Sequence, residues 1–95
     1  MIKYLEKEED FETITKEEVI VDFYADWCGP CKMMGTILEE LDELNILKLN
    51  VDDFPDIARK FGVMSIPTLI KFKNGEEVKR VVGYKTKDEL LEDFK

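Results

Sequence analysis

The cysteine pair of this chain lies between a strand pattern and a helix pattern, and this junction constrains the fold more than any other feature. The preceding segment, Val19–Tyr24, is rich in the β-branched and aromatic residues that are typical of a buried strand. The only two cysteines then follow in the run Trp27-Cys28-Gly29-Pro30-Cys31. Apolar residues after this run recur with the spacing of an α-helix, at Met34, Ile37, Leu38, Leu41 and Leu44. We therefore expect a strand that leads, through a turn carrying both thiols, into an amphipathic helix.

Two cysteines at this spacing beside a strand–helix unit are typical of a dithiol redox site. Half of a zinc site is one alternative, but structural zinc uses about four nitrogen or sulfur ligands. The chain has two cysteines and no histidine, so we predict no metal site. A chance pair of small buried apolar residues is the other alternative. A disulfide that closes so short a loop adds little chain-entropy stabilisation, so redox chemistry explains the pair better than stability does.

Length and charge narrow the class of protein. With 95 residues the chain is expected to form one domain, residues 1–95. Its net charge of −8 argues against nucleic-acid binding and against a polybasic membrane anchor. The apolar runs are far shorter than the ~20 residues of a membrane span, and the first ten residues lack the apolar stretch of a signal peptide. We therefore expect a cytoplasmic protein, and in that reducing compartment a lone cysteine pair is more often catalytic than structural.

The remaining patterns alternate strands and helices before ending in a hairpin and a helix. Asn74-Gly75, between two strand patterns, is the strongest short hairpin signal. This order predicts an α/β fold, with a central mixed sheet of four to five strands flanked by helices on both faces. The predicted strands are Ile2–Leu5, Val19–Tyr24, Ile46–Val51, Thr68–Lys73 and Glu76–Val82. The predicted helices are Glu8–Thr15, a long helix through the apolar pattern after Cys31, Pro55–Phe61 and Lys85–Phe94.

Four sequence landmarks, in this order, resemble the thioredoxin family over nearly the whole chain. They are Val21–Lys32 with its Trp-Cys-Gly-Pro-Cys core, Lys48–Asp52, Ile66–Thr68 and Phe72–Gly75. The resemblance implies the thioredoxin fold and a monomeric protein-disulfide reductant that needs no cofactor. Its partners would be disulfide-containing target proteins and a reductase that recharges it. The same fold used as an oxidase or isomerase, or as a binding module with an incidental dithiol, is the alternative.

The expected helix start and the resemblance together assign different roles to the two cysteines. If the helix begins near Cys28, its first-turn N–H groups and dipole lower the pKa of that thiol from ~8.5 toward ~7. Cys28 is then expected to attack, and Cys31 to resolve the mixed disulfide. Gly29 and Pro30 shape the active-site turn, and a stiff turn is expected to favour the dithiol form. Ordinary helix-start chemistry explains Pro30 equally well.

Asp22 and Lys48 complete the predicted catalytic set. Asp22 interrupts an otherwise apolar strand, and burial would raise the pKa of its carboxyl toward neutrality. The resemblance implies that it exchanges a proton with Cys31 through water; an outward-facing position at a sheet edge is the alternative. Lys48 matches the family's lysine that approaches this aspartate from the neighbouring strand. A solvated charge at a strand end is the alternative for Lys48.

The resemblance also implies a groove for the substrate chain beside the cysteines. The Ile66–Pro67 peptide bond would be cis, and the backbone there would pair with an extended substrate chain in a strand-like manner. Ser65 and Ile66 would flank this groove, and Trp27 and Gly83 would complete an apolar collar. Core packing is the alternative role for Trp27, and a turn glycine is the alternative for Gly83.

The chain departs from the family pattern at three places. The long helix has no proline a few residues after the second cysteine, and Gly35 is expected to allow a softer bend there. The stretch from Cys31 to Lys48 is several residues shorter than usual, which predicts a trimmed helix end or loop. Tyr24 stands where a second tryptophan is common, so the surroundings of the site are expected to differ in detail.

Overall fold

The computed structural model describes all residues from Met1 to Lys95 and arranges four helices around one five-stranded sheet. The strands are β1 (Ile2–Tyr4), β2 (Val19–Tyr24), β3 (Ile46–Asn50), β4 (Thr68–Lys73) and β5 (Glu76–Val82). The helices are α1 (Asp10–Ile14), α2 (Gly29–Glu39), α3 (Pro55–Lys60) and α4 (Lys87–Asp93). Every predicted strand and helix is present.

The sheet is mixed, with the strand order β1-β3-β2-β4-β5. Both β1 and β2 lie parallel to β3, because helical connections carry the chain back across the sheet between them. In contrast, β4 is antiparallel to β2 and to β5. The β4–β5 hairpin turns at Asn74 and Gly75, whose φ angles of 55° and 81° suit the two-residue turn that Asn-Gly favours. The predicted fold class and the predicted hairpin are confirmed.

Successive residues of the central strands pack on opposite faces of the sheet, and a different pair of helices covers each face. The α1/α3 face carries a cluster of 11 buried apolar residues. The α2/α4 face carries a second cluster of 9. Within β2, Val19, Val21 and Phe23 belong to the first cluster and Ile20 to the second. Asp22 therefore lies on the α2/α4 face, two residues after Ile20.

The predicted long helix is shorter than its apolar pattern, since α2 ends at Glu39 whereas the periodicity continues to Leu44. Leu41 is nonetheless buried, and the amides of Leu41 and Leu44 donate to carbonyls three residues earlier. Bonds of this spacing wind the chain more tightly than an α-helix and turn it towards β3. The last part of the pattern therefore reflects core packing, and the helical interpretation of it is wrong. None of the four helices has the length and apolar character that a membrane crossing requires.

Candidate active site

Cys28 and Cys31 lie where β2 passes into α2, and their sulfur atoms form a disulfide. Cys28 is the N-cap of α2, with extended backbone at φ −93° and ψ 109°, so the expected helix start is confirmed. Pro30 lies in the first turn, where its missing N–H leaves no bond unmade. The Cys31 amide donates to Cys28 Sγ at 3.2 Å. The sulfur thus replaces the usual N-cap oxygen, and this end of the helix favours a negative charge on it in the reduced state.

Cys28 also lines an apolar groove of about 530 Å³, whereas Cys31 does not. The two residues are almost equally buried, at 5% and 2% exposure, so access from the groove distinguishes them better than burial does. Cys28 Sγ lies 3.8 Å from the Ile66 carbonyl oxygen across the groove. The residues of the active-site turn, Trp27, Gly29 and Pro30, line the same side as Cys28.

The loop between α3 and β4 forms the other side of the groove. The Ile66–Pro67 peptide bond is cis, as the resemblance implies. Ser65 and Ile66 line the groove, while Pro67 is buried. Gly83 does not line the groove, and its amide donates to the Pro67 carbonyl oxygen at 2.8 Å. Gly83 lies directly after β5 and has a φ of 91°, which suits glycine. Its hydrogen bond supports the loop that carries Pro67.

Asp22 is fully buried in the central strand β2, so the alternative of an outward-facing edge position is wrong. Its neighbours across the sheet are Lys48 on β3 and Leu69 on β4. Lys48 Nζ is 3.6 Å from Asp22 Oδ2, which is close enough for an ion pair but too long for a good hydrogen bond. Both carboxylate oxygens therefore lack a hydrogen-bond partner. The side chain of Lys48 is only 12% exposed, so it is not a solvated charge.

This buried environment changes the pKa of the Asp22 carboxyl group. Burial raises the pKa of Asp22 to about 6, and the nearby positive charge of Lys48 opposes the shift. A carboxyl group with a pKa close to neutrality exchanges its proton readily under ordinary conditions. Cys31 and Lys48 line a second cavity, of about 340 Å³, which shares no residue with the groove. The site therefore has two sides: the groove reaches Cys28, and the second cavity reaches Cys31.

Sequence reasoning missed two residues at the rim of the groove. Trp27 is 71% exposed, and its Nε1–H donates to Asp52 Oδ2 at 2.9 Å, a role that the sequence did not assign to Asp52. Met64 is 96% exposed and lines the groove. Only their positions in the sequence could have indicated these two residues. Asp52 follows β3 at the end of the sheet where the cysteines lie, and Met64 adjoins Ser65.

A cysteine pair of this kind exchanges electrons with other thiols and disulfides, and this chemistry defines a thiol–disulfide oxidoreductase. Comparison with known proteins leads to the family. Residues 2–95 match the Thioredoxin family. The chain is 48% identical to a thioredoxin of Chlamydia muridarum, in a match that covers 96% of this chain and 93% of that protein. The chain belongs to the thioredoxin family, and its cysteine pair is the redox-active centre.

Two further relatives extend the comparison to a longer protein and to a solved structure. The chain is 50% identical to the bifunctional thioredoxin reductase/thioredoxin of Mycobacterium leprae, in a match that covers 84% of this chain and 19% of that protein. A thioredoxin variant from Halobacterium salinarum has a similar structure, with a TM-score of 0.87 and 35% identity. That match covers 96% of this chain and 85% of the other.

Proposed function

We propose that this protein reduces disulfides in target proteins, with Cys28 as the attacking thiol and Cys31 as the resolving thiol. The observation that carries the proposal is the position of Cys28 Sγ, which caps α2, accepts the Cys31 N–H and lines the groove. Only the thiolate attacks a disulfide, and this sulfur combines a favoured negative charge with access for a substrate. Cys31 lies one helical turn further on and away from the groove.

In the proposed reaction, the Cys28 thiolate attacks one sulfur of the target disulfide, and the other target sulfur leaves as a thiolate and takes up a proton. Cys28 and the target are then joined by a mixed disulfide. Cys31 loses its proton and attacks Cys28 Sγ, which releases the second target thiol and closes the Cys28–Cys31 disulfide. Two electrons pass from the dithiol to the target in this cycle.

We assign Asp22 as the base that receives the proton of Cys31, with Lys48 as its charge partner. The pKa of Asp22, which burial raises to about 6, leaves the carboxyl ionised and ready to accept a proton at neutral pH. Cys31 and Lys48 line the same cavity, which has room for a bridging water between polar groups. The ion pair with Lys48 at 3.6 Å supports this assignment, because it connects that cavity to the buried carboxylate.

The roles of the two cysteines are tested by trapping the mixed disulfide. A Cys31→Ser variant incubated with a disulfide-containing protein should accumulate a covalent adduct through Cys28, because no second thiol resolves it. Mass spectrometry of the adduct identifies the linked residue. The matched variant Cys28→Ser should accumulate little adduct. Adduct formation through Cys31 in that control, and none in Cys31→Ser, would reverse the assignment.

The direction of the reaction is tested by the reduction potential of the Cys28–Cys31 couple at neutral pH. A reduction potential of about −270 mV, as for thioredoxin, supports the reductant role. A value of about −180 mV or above would instead indicate an isomerase or oxidase. Equilibration against a defined dithiol buffer measures this potential directly.

The role of Asp22 is tested by the pH dependence of the reaction. Asp22→Asn should slow reduction of a protein disulfide by about a hundredfold near neutral pH, which is at the low end of what general acid–base catalysis contributes. The difference should shrink at alkaline pH, where Cys31 ionises without help. Trp27 is the only tryptophan and precedes Cys28, so its fluorescence can follow the rate. An unchanged pH–rate profile would contradict the role of Asp22.

The partners follow from the same proposal. A relative whose name combines thioredoxin reductase and thioredoxin supports a reductase as the electron donor. We propose that the chain carries electrons from such a reductase to its targets as a monomer, with residues 1–95 acting as one domain. The use of the only two cysteines for catalysis fits a reducing compartment such as the cytoplasm. The electron donor is tested by whether a thioredoxin reductase oxidises NADPH only when this protein is present. The monomeric state is tested by the elution volume of this protein in gel filtration.

A further inference from the structure

The Lys48 ammonium lies in a cage built from side chains of β1 and β2. Tyr4 on β1 and Asp22 on β2 are its neighbours across the sheet, so the three side chains form one row on the α2/α4 face. Nζ lies 4.6 Å from the ring centroid of Tyr24 and 5.9 Å from that of Tyr4, both within the range of a cation–π interaction. Asp22 Oδ2 is 3.6 Å away. The cation is thus held by two aromatic rings and one carboxylate.

Helix α2 covers this cage at Gly35. A Cβ atom on Gly35 would lie 3.1 Å from Lys48 Nζ, which is closer than an ordinary van der Waals contact. The backbone of Gly35 does not have a positive φ, so its conformation does not require glycine. Glycine is also an unfavourable residue inside a helix, where alanine is preferred. Glycine at this position therefore leaves the ammonium space, and a side chain here would make Nζ shift by a few tenths of an ångström.

We propose that Gly35 and Tyr24 are positioning residues that hold the Lys48 ammonium beside Asp22 and so control how readily Asp22 exchanges its proton. Gly35 acts by leaving room for the ammonium, and Tyr24 acts by presenting its ring to the charge. The inference rests on the proposed role of Asp22 for its catalytic meaning, but the geometry of the cage stands without it. In this proposal both residues act on Asp22 through Lys48, and Tyr24 in addition packs against the small cluster of Ala25, Cys28 and Cys31.

The direction of the effect follows from the space around the ammonium. Asp22 is fully buried beside Lys48, whereas two cavities that Lys48 lines offer free space. A methyl group on Gly35 therefore displaces Nζ outwards, away from the carboxylate. The ionisable groups that line these cavities with Lys48 are Tyr4 on β1, Tyr24 on β2, Asp26 after β2, Cys31 when reduced, and Lys32 and Glu39 on α2; the charge of Asp53, after β3, acts on Tyr24. None of these is altered in the variants below except Tyr24.

The test is a titration of Asp22 in the oxidised protein, where the cysteines do not ionise. The carboxyl ¹³C resonance of Asp22 gives its pKa by NMR. Lys48→Met should raise that pKa by about one pH unit or more, because it removes an opposite charge close to a carboxylate. Gly35→Ala should shift it in the same direction by a smaller, measurable amount. Tyr24→Leu should also raise it, whereas Tyr24→Phe, which keeps the ring, should restore the wild-type value.

Two further variants separate positioning from a general effect on the helix. In the Lys48→Met background, Gly35→Ala should produce no additional shift, because the group that it displaces is gone. Thr36→Ala, the matched control at the next, exposed position of α2, should leave the titration of Asp22 unchanged. An unchanged Asp22 pKa in Gly35→Ala, or an equal shift with and without Lys48, would overturn the proposal. The readout does not depend on turnover, so a failure of Asp22 as a catalytic base would appear in the rates and not here.

Discussion

The two faces of the sheet are buried to a similar degree but differ in what they bury. The α1/α3 face holds 11 buried apolar residues from two helices and the sheet. The α2/α4 face has its own apolar cluster, yet the row across β1, β3 and β2 consists of the exposed Tyr4, the largely buried Lys48 and the fully buried Asp22. The first face stabilises the fold, whereas the second gives up some stability to keep a titratable carboxyl and a cation close to the thiols. The chain therefore assigns structure and chemistry to opposite sides of the same strands.

The largest expected effect on stability comes from a substitution on the α1/α3 face, which carries none of the proposed catalytic residues. Phe72 is fully buried, and its ring centroid lies 5.6 Å from that of Phe11 and 5.1 Å from that of Phe61. Phe72→Ala should lower the free energy of unfolding by about 3–5 kcal/mol, through lost burial and the cavity that remains. Urea unfolding followed by circular dichroism measures this loss. Val78→Ala, at a 54% exposed position on β5, is the matched control and should change it little.

Phe72→Ala should also leave the redox chemistry of the opposite face unchanged. If the α1/α3 face serves stability alone, the folded fraction of Phe72→Ala should keep the wild-type reduction potential. A changed potential in a variant that is still fully folded would show that the two faces are energetically coupled through the sheet, and the division of labour would then fail.

A smaller effect, of opposite sign, is expected on the other face. The folded state raises the pKa of Asp22 from 3.8 to about 6, so it binds more protons than the unfolded state between these values. The stability associated with Asp22 is then present below pH 3.8 and is lost as the pH rises through about 6. Asp22→Asn should therefore raise the free energy of unfolding at pH 8 by about 2–3 kcal/mol.

The pH dependence provides the control for this prediction. Near pH 3.5, where the carboxyl is protonated in the folded state and mostly protonated in the unfolded state, Asp22→Asn should differ little from wild type. Asp26→Asn, at an exposed position in the following turn, should behave like wild type at both pH values. A gain in stability that is equal at pH 3.5 and pH 8 would show that burial of the charge is not its cause.

Most of the fold could be predicted because its signals are local. Val19–Tyr24 shows strand composition within six residues, and Asn74-Gly75 specifies its own turn. The exception, the end of α2, also has a local cause. Leu41 and Leu44 keep helical spacing because they pack on the core, but tighter turns replace the helix before them. Apolar periodicity reports which side chains are buried and does not by itself report how the backbone places them.

The site divides in the same way. Cys28, Pro30 and Cys31 were predictable because helix capping acts within one turn. The cage around Lys48 was not, because Tyr4 and Gly35 reach it only through strand register and helix packing. The support that Gly83 gives to Pro67 likewise depends on the pairing of β4 with β5. Contacts between distant segments need the register of the sheet, which no short pattern in the sequence specifies.

The smallest expected effect on stability is at the rim of the groove, where the side chains are exposed to solvent. The hydrogen bond from Trp27 Nε1 to Asp52 Oδ2 is exposed, so water competes for both partners. In a double-mutant cycle of Trp27→Phe and Asp52→Ala, the coupling energy for unfolding should be about 1 kcal/mol or less. Urea unfolding by circular dichroism measures it without needing the tryptophan. A coupling energy of several kcal/mol would mean that the rim of the groove also stabilises the fold. Stabilisation would then not be confined to the α1/α3 face.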